Sequence, residues 1–554
     1  MYLDISLLHK NGHTYKRVLL RESYREQGKV KKSTIANLSA CSEKEIAAIK
    51  LALRHKSDLS EVASVTEDLT LRQGPSIGAV WLVYKIASRL GVTAALGNSR
   101  QGKLALWQVI ARVIDQGSRL SAVRFGTNHG ACDVLDLEAF HEEHLYANLD
   151  WLHENQEEIE NKLARKLHGK NPIELFLYDV TSSYLEGEKN ELAAFGYNRD
   201  KKRGKQQIVI GLLCDPAGTP LSIEVFPGNT QDTKTFGQQI VKVAQRFGGG
   251  AVTFVGDRGM IKGPQIKQLQ EYHDHEFHYI TAITKPQVEK LLREDKIQIS
   301  LFDQELCELK LQETLRLILR RNPMRAAEIK RSREKKYQAL FTFVEEQNRY
   351  LQEHARAKAA VAKRKINAKG KRLKIDQWAI VSSKGRSMSL SKDTEQLQEV
   401  EKLDGCYVLK TDLPADKAPK EVVHDRYKDL ALVEWAFRTS KTVELEMRPV
   451  NVRLESHTRA HAFVVMMAYW IVKELSSLWV DLDVTVEEGL KELDALCSTE
   501  VSIADGGCFH RIPEPRELSQ QLLKAANVKL PIALPSKGII VATKKKLQSR
   551  RKAA

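Results

Sequence analysis

The sequence is poor in the features that mark secreted and membrane-spanning proteins. Its 554 residues include only seven cysteines, and none of them form a CxxC pair, which argues against a disulfide framework and a zinc site. No run reaches the roughly 18 apolar residues that a membrane span needs. The opening stretch MYLDISLLHKNGHTY lacks the basic-then-apolar pattern of a signal peptide. These absences predict a cytoplasmic protein with no membrane partner.

Positive charge, by contrast, is abundant, with a formal net charge of +16. The charge is uneven: residues 320–374 hold 18 Lys and Arg against 5 Asp and Glu, and the tail KKKLQSRRKAA adds six positive charges and no acid. Such blocks suit a polyanion, of which nucleic acid is the commonest. The alternative is a solvated, solubilising surface. Two blocks in one chain favour nucleic acid.

The chain is too long for one hydrophobic core, so several units are expected. Strand-like runs flank EQGK near the N-terminus, a hairpin signal, and a helix follows, opened by Ser42 with Glu45 three residues later, a capping box. Apolar residues then recur at helical spacing. Both leading units are candidates for DNA binding. The predicted segments are 1–72 (hairpin and helix), 73–170 (helical), 171–285 (first part of an α/β core), 286–412 (insertion with a basic helix), 413–480 (second part of the core) and 481–554 (C-terminal region with the basic tail).

After Pro172 the apolar period changes from that of a helix to that of a strand. Three successive strands, joined in part by the turn DPAG, are expected to be antiparallel, and helix, strand, helix, strand follow. The first and fourth strands end in Asp179 and Asp257. In a ribonuclease H-like α/β sheet these strands lie side by side, which would bring both carboxylates to one edge. The alternative for each aspartate is a turn or a helix N-cap.

A third acid is expected because two carboxylates hold two divalent ions poorly. The stretch 425–450 reads as a helix, and in it Tyr427, Glu434 and Lys441 stand seven residues apart and so share one face. A carboxylate between a phenol and an ammonium suits a metal ligand bordered by phosphate contacts. The alternative is an amphipathic surface helix with ordinary charges.

These motifs together resemble the DDE transposases of prokaryotic insertion sequences, in the superfamily with the Y-x2-R-x3-E-x6-K signature. The stretches YDVTSSY and VGDRGM resemble the two aspartate blocks, and Tyr427, Glu434 and Lys441 match the signature. Leu430 occupies the arginine position, a departure, although Arg426 is nearby. LDGCYVLKTDL and RPVNVRLESHTRAHAFVVMMAYW resemble the segments that frame the glutamate helix. The likeness extends from about residue 10 to 480.

Three acids suit two Mg²⁺ ions, with Mn²⁺ able to substitute, and their carboxylates are expected to converge within about 4–7 Å. The catalytic and metal-binding residues are therefore predicted to be Asp179, Asp257 and Glu434. The resemblance implies cleavage of DNA at the element ends and transfer of the 3′-OH ends to target DNA. It also implies a homodimer in the synaptic complex, associated with the nucleoid. The predicted DNA contacts are Tyr427, Lys441, Arg438, Arg258, Lys363, Arg364 and Lys365.

Two other functions fit part of the sequence. A structure-specific nuclease would use the same three acids without strand transfer. A catalytically silent DNA-binding protein would keep the basic blocks, but the presence of all three acids argues against it. Inverted repeats flanking the gene would favour the transposase.

Overall fold

The computed structural model describes most of the chain. The described residues are 1–10, 13–54, 69–169, 171–200, 202–247, 251–258, 260–271, 276–312, 314–442, 444–448, 450–503 and 507–533. The basic tail predicted from the sequence lies outside them. Within these residues, no helix combines the length and the apolar character that crossing a bilayer requires.

The N-terminal unit is a small antiparallel sheet followed by a helix. Its elements are β1 (Tyr2–Lys10), β2 (His13–Glu26), β3 (Lys29–Asn37) and α1 (Glu43–Arg54). Gln27 and Gly28, with φ of 48° and 76°, form the turn between β2 and β3, the conformation that tight hairpins prefer. The Glu45 carboxylate accepts from the Ser42 backbone N–H at 2.6 Å. The predicted hairpin and capping box are confirmed.

A strand and a layer of helices follow. They are β4 (Leu69–Ser76), α2 (Gly78–Arg89), α3 (Val92–Leu96), α4 (Arg100–Ile114), α5 (Arg119–Asn128), α6 (Ala131–Leu135), α7 (Glu142–Glu154) and α8 (Gln156–His168). Ser99 and Ser118 cap the N-termini of α4 and α5 through their side chains, satisfying backbone N–H groups that the helix leaves free. Leu82 of α2 and Trp107 of α4 are fully buried, in a hydrophobic core that the layer shares with one face of the central sheet.

The centre of the protein is a mixed sheet with helices on both faces. In chain order its elements are β5 (Leu175–Tyr184), β6 (Gln207–Cys214), β7 (Pro220–Pro227), α9 (Asp232–Lys242), β8 (Ala251–Gly256), α10 (Gly263–Gln270), β9 (Glu276–Ala282), α11 (Lys285–Arg293), β10 (Cys307–Gln312), β11 (Leu315–Arg321), α12 (Pro323–Glu353), α13 (Ala359–Leu373), β12 (Ala379–Lys384), β13 (Ser387–Lys392), α14 (Thr394–Glu401) and β14 (Cys406–Thr411).

The eight strands of this sheet run in the order β10-β11-β14-β9-β8-β5-β6-β7. Strands β5, β8 and β9 are parallel, and every other pair is antiparallel. The predicted antiparallel β5, β6 and β7, and the predicted adjacency of the first and fourth strands, are confirmed. Three strands from the predicted insertion 286–412 continue the sheet beyond β9, because β14 pairs with β9 and β11 pairs with β14. That segment therefore adds to the sheet as well as carrying a helical arm.

The arm between β11 and β14 corrects one sequence prediction. The stretch EEQNRYLQEHARAKAAVAKRK reads as one helix, but the structure ends α12 at Glu353 and begins α13 at Ala359. The chain turns back so that Val344 and Leu351 of α12 and Ile366 of α13 bury one another, together with Trp378. Burial of these apolar side chains prevails over a continuous helical pattern, which contains no glycine or proline to mark the break.

The chain then returns to the sheet and to the helical layer. Its last elements are α15 (Lys420–Lys428), α16 (Leu430–Lys441), α17 (Glu455–Leu478), α18 (Val486–Asp494), β15 (Cys497–Ile503), β16 (Gly507–Arg511) and α19 (Glu517–Ala525). Helix α17 packs against α4, α7 and β7, and β15 pairs with β4. The single helix predicted over 425–450 is two helices separated at Asp429, and it ends at Lys441.

Candidate active site

Asp179 and Asp257 lie next to each other because of the pairing between β5 and β8. The parallel ladder ends at the pair Tyr178 and Gly256, and each aspartate is the next residue of its chain. The sequence predicted that the first strand ends at Asp179, which is wrong. Strand β5 continues to Tyr184 because β6 stays paired with it there, while β8 has ended on its other side.

The alternation of β5 directs Asp179 toward the third acid. Phe176 and Tyr178 belong to the core on the α9 and α10 face of the sheet, whereas Leu177 belongs to the core that contains α16. Asp179 is two residues after Leu177 in a regular strand and so points to the α16 face. Helix α16 packs against β5 and carries Glu434. Asp179, Asp257 and Glu434 all line one cavity of about 460 Å³.

The surroundings of Asp179 raise its pKa to about 7. Burial is the main cause, and repulsion by the charges of Asp257 and Glu434 adds to it, whereas the Val180 N–H and Arg199 oppose the shift. Val180 donates its backbone N–H to an Asp179 oxygen at 2.8 Å. A cation in the cavity would relieve this repulsion, and carboxylates are the hard oxygen donors that divalent ions prefer.

The acids are near one another without forming a closed metal cluster. In the described part of the chain, no three His, Cys, Asp or Glu side chains stand close enough to hold an ion. The structure thus brings the three predicted acids to one cavity, and the convergence to about 4–7 Å stays a prediction. By donor type and by charge the residues fit a divalent ion.

Lys441 lines the cavity, but its ammonium is bound within the protein. It donates to the Thr181 hydroxyl at 2.8 Å and to the Ser182 carbonyl at 2.5 Å, and it lies 3.0 Å from an Asp200 oxygen. Burial lowers the pKa of Lys441, and Asp200 opposes that effect. A DNA contact by Lys441, as predicted from its position, would compete with Asp200.

Tyr427 and Arg258 flank the second aspartate. The Tyr427 hydroxyl donates to an Asp257 oxygen at 3.4 Å, and burial raises the pKa of Tyr427, as does the Asp257 charge. Arg258 is exposed beside Asp257. The phenol is therefore placed to orient the Asp257 carboxylate, and the guanidinium is accessible to an anionic ligand.

Among the predicted basic residues, Arg438 is exposed and lines the cavity. Lys363, Arg364 and Lys365 lie elsewhere, on α13 of the helical arm, where Lys363 is half-buried and the other two are exposed. The structure therefore separates the predicted DNA contacts into a group at the cavity and a group on the arm.

The sequence analysis missed four charged residues at the cavity, namely Arg199, Asp200, Asp232 and Arg448. Arg199 Nη2 donates to both carboxylate oxygens of Asp232, at 2.8 and 2.7 Å, and Arg448 donates to Asp200 at 2.5 Å. The available signal was an adjacent arginine and aspartate in the loop after β5, but the partners of these two residues lie far along the chain.

Two family models match the chain. Residues 5–65 match the N-terminal domain of the IS1634 family transposases, and residues 170–471 match the transposase DDE domain. A solved structure, a cryo-EM synaptic complex of piggyBac transposase with hairpin DNA, is 9% identical, with 86% of this chain and 90% of that chain covered and a TM-score of 0.34. No curated protein matches. Because the DDE model spans more than half of the sequence and holds all three cavity acids, the chain belongs to the DDE transposases, which are DNA-cleaving enzymes of transposition.

Proposed function

We propose that this transposase binds the terminal inverted repeats of its insertion sequence, cleaves DNA at the element ends and joins the 3′-OH ends to target DNA. The observation that carries the proposal is the meeting of Asp179, Asp257 and Glu434, from three separate elements, at one cavity. Arg438 on the same cavity wall supplies a cation for the DNA phosphates. Acids for chemistry and a cation for substrate charge are what phosphoryl transfer requires.

DDE transposase domains use divalent metal ions, and we assign their binding here to Asp179, Asp257 and Glu434. Two Mg²⁺ ions, or Mn²⁺ in their place, suit three carboxylates. When bound, such ions supply Lewis acidity at the attacking and leaving oxygens. The raised pKa of Asp179 supports this assignment, because burial and the charges of Asp257 and Glu434 both disfavour its bare carboxylate and a bound cation would offset that cost.

The remaining cavity residues act on the carboxylates and the DNA. Tyr427 holds the Asp257 carboxylate through its hydroxyl, and Arg438 binds phosphate. Tyr427, Glu434 and Lys441 correspond to the Y-x2-R-x3-E-x6-K signature, with Leu430 at the arginine position. The strand order β7-β6-β5-β8-β9, antiparallel and then parallel, supports a ribonuclease H-like core.

The partners follow from the reaction. Transposases act on DNA, and pairing two element ends calls for two catalytic sites, so we propose a homodimer in the synaptic complex, acting at the nucleoid in the cytoplasm. Segments 1–72 and 73–170 are candidates for recognising the repeat. Arg258 and the arm residues Lys363, Arg364 and Lys365 would hold DNA that flanks the cut. The six-segment division of the chain is part of this proposal.

The test is a reaction with a plasmid that carries the element's own ends and a second plasmid as target. With Mg²⁺, we expect cuts at the repeat boundaries and joined products, both mapped by sequencing, and neither in EDTA. Cleavage at the ends without any joined product would favour the alternative of a structure-specific nuclease. Binding without cleavage under these conditions would contradict the proposal.

A further inference from the structure

The second half of the connection between β5 and β6 presents two uncovered aromatic rings. It is called the β5–β6 loop below and is described over residues 194–200 and 202–206. Phe195 is 68% exposed and Tyr197 is 82% exposed. Rings of this size are usually covered in a folded protein because their burial is strongly favourable. Two exposed rings on one loop, separated by a single residue, suggest a surface that a ligand covers.

The loop is held in place by hydrogen bonds. Ala194 and Gln207 exchange backbone hydrogen bonds at 3.0 and 3.2 Å, and the Gln207 side chain donates to the Tyr197 carbonyl at 3.2 Å. The Arg199 backbone N–H donates to the Ser182 hydroxyl at 2.9 Å. The two rings are therefore exposed on an anchored backbone, which lowers the entropic cost of binding a ligand there.

Gly196, between the two rings, allows a close approach. A Cβ at this position would lie 2.2 Å from the Gly228 carbonyl oxygen, so no other residue fits without movement of the backbone. The loop thus lies against the end of β7 at its glycine, with the two large side chains on either side of that contact.

Positive charge accompanies the rings. Lys202 and Arg203 of this loop are exposed. The Arg199 guanidinium, which is paired with Asp232, lies 5.8 Å from the centre of the Tyr197 ring. Cations beside exposed aromatic rings suit a nucleic-acid strand, whose phosphates pair with the cations while its bases stack on the rings.

The loop reaches the catalytic cavity. Arg199 and Asp200 line that cavity together with Asp179. Tyr197 is only two residues before Arg199 in the chain, and Arg199 lines the cavity. A DNA strand whose scissile phosphate lies at Asp179 would therefore have its neighbouring nucleotides at this loop.

We propose that the β5–β6 loop is a second DNA contact of this transposase, at which Phe195 and Tyr197 stack on unpaired bases next to the cut. The proposal rests on the proposed function, because it places DNA in the cavity. Stacking on one aromatic side chain contributes about 5- to 100-fold in affinity. It needs an unpaired base, so the loop would favour melted or single-stranded DNA over a closed duplex.

The test compares full-length wild type with the double variant Phe195→Ala/Tyr197→Ala in EDTA. The probes are a fluorescein-labelled dT20 strand, a 20-base-pair duplex, and a dT20 strand with a central 2-aminopurine. We expect the double variant to bind dT20 at least about 10-fold more weakly, to change duplex affinity less than about twofold, and to lose the 2-aminopurine quenching seen with wild type.

The controls separate stacking from general damage. Phe195→Tyr/Tyr197→Phe keeps both rings and should keep wild-type affinity and quenching. Val480→Ala/Ile532→Ala removes two apolar side chains that are 75% and 82% exposed elsewhere and should leave binding to dT20 unchanged. Thermal melting checks that each variant is folded; if the double alanine variant is not, Tyr197→Ala alone replaces it.

Three outcomes would overturn the proposal. The first is an unchanged affinity of the double alanine variant for dT20, and the second is an equal loss of affinity for dT20 and for the duplex. The third is a loss of self-association in sedimentation with DNA affinity intact, which would mean that the rings contact a second copy of the chain. If the wild type cuts and joins its own ends while the double variant binds dT20 normally, the proposed role of the loop is refuted and the proposed function stands. If the wild type quenches 2-aminopurine but never cuts the element ends, the role of the loop in DNA binding stands and the proposed function is refuted.

Discussion

The Lys441 ammonium lies 3.0 Å from a carboxylate oxygen of Asp200, and both side chains are almost entirely buried, at 9% and 3% exposure. The same Asp200 accepts from Arg448 and from the Tyr184 backbone N–H. A lysine that the sequence predicted to contact DNA is thus bound to an acid in the loop between β5 and β6. The pair fixes α16, which carries Glu434, against the strand that carries Asp179.

Separating this pair should be costly. Asp200→Asn leaves Lys441 and Arg448 without their buried counter-charge, and we expect it to lower the free energy of unfolding by about 3–5 kcal/mol. Lys441→Met removes the other partner, so the double variant should lose less than the sum of the two, with a coupling of about 1–3 kcal/mol. Urea unfolding measures all four proteins.

The exposed pair Glu487 and Lys491, at i and i+4 on α18, is the control for this double-mutant cycle. Its coupling should stay below about 0.5 kcal/mol because water screens the charges. Equal couplings for the two pairs would mean that Asp200 does not hold Lys441 in solution.

Asp179→Asn should abolish DNA cleavage and strand transfer, with at least about a thousandfold loss of rate, because the neutral amide is a poor ligand for a divalent ion. Binding to the element ends should change less than about threefold, since phosphate contacts by Lys and Arg supply most of the affinity. Single-turnover cleavage and fluorescence anisotropy measure the two effects. Asp416→Asn, at an exposed carboxylate, is the control. If Asp179→Asn cleaves DNA at the wild-type rate, the assignment of Asp179 as a catalytic residue is wrong.

The raised pKa of Asp179 predicts how stability depends on pH without divalent ions. The folded state holds a proton up to about pH 7, whereas the unfolded chain releases it near pH 3.8. Stability contributed by this group is therefore lost as pH rises from about 4 to 7. At pH 8, Asp179→Asn should be more stable than wild type by on the order of 1–4 kcal/mol. Near pH 4 the two should converge.

Mg²⁺ at pH 8 should raise the melting temperature of wild type and leave that of Asp179→Asn nearly unchanged. Asp150→Asn gives a control of opposite sign, because hydrogen bonds from Ser456 and His457 outweigh burial and lower the pKa of Asp150. That variant should lose stability at pH 8. An Asp179→Asn protein that is less stable than wild type at pH 8 would contradict the raised pKa.

His278 on β9 should make stability decline as pH rises above about 6.5. Its Nδ1 lies 3.5 Å from an Asp412 oxygen and its Nε2 lies 3.1 Å from Glu276, and the contact with Asp412 is the main cause of its raised pKa. The stabilisation is complete below about pH 6.5 and is lost as pH rises through the folded pKa. Urea midpoints of His278→Gln should fall below wild type at pH 6 and approach it at pH 9. If the urea midpoints of wild type and His278→Gln differ by the same amount at every pH from 6 to 9, His278 does not cause the pH dependence.

The helical arm should contribute to DNA affinity through charge alone. The log–log salt dependence of binding to element ends should become shallower by roughly one unit for each lost phosphate contact. The variant replaces six basic residues of the arm by Gln: Lys363, Arg364, Lys365, Lys371, Arg372 and Lys374. The loss should be equal for unrelated sequences because phosphate contacts carry no base information.

The control for the arm replaces exposed lysines distant from it in the chain by Gln, namely Lys491, Lys524 and Lys529. Its salt dependence should match that of wild type. If the six-fold arm variant also matches wild type, the arm is a solvated surface and does not contact DNA.

Local signals made part of the fold predictable. The capping box at Ser42 and the turn at Gly28 depend on residues within a few positions of each other, and the alternation of the first catalytic strand depends on burial of its own side chains. The three acids of the cavity could be predicted because Asp179 and Asp257 come after apolar stretches and Glu434 stands seven residues from both Tyr427 and Lys441.

What the sequence could not show depends on distant partners. The end of β5 is set by β6, whose pairing carries the strand past Asp179. The break before Ala359 is set by packing across the arm. The burial of Lys441 depends on Asp200, far away in the chain. The position of the lysine in the sequence does not indicate whether its ammonium faces solvent.

The arm leaves and re-enters the sheet at almost one point. The Asn322 backbone N–H donates to the Gly405 carbonyl at 2.8 Å, and the strands on either side of it, β11 and β14, are direct neighbours. In topological terms the whole arm occupies the place of a hairpin turn. Its length and composition can therefore change over evolution, or be shortened to a tight turn by design, while the ladder between β11 and β14 keeps its register.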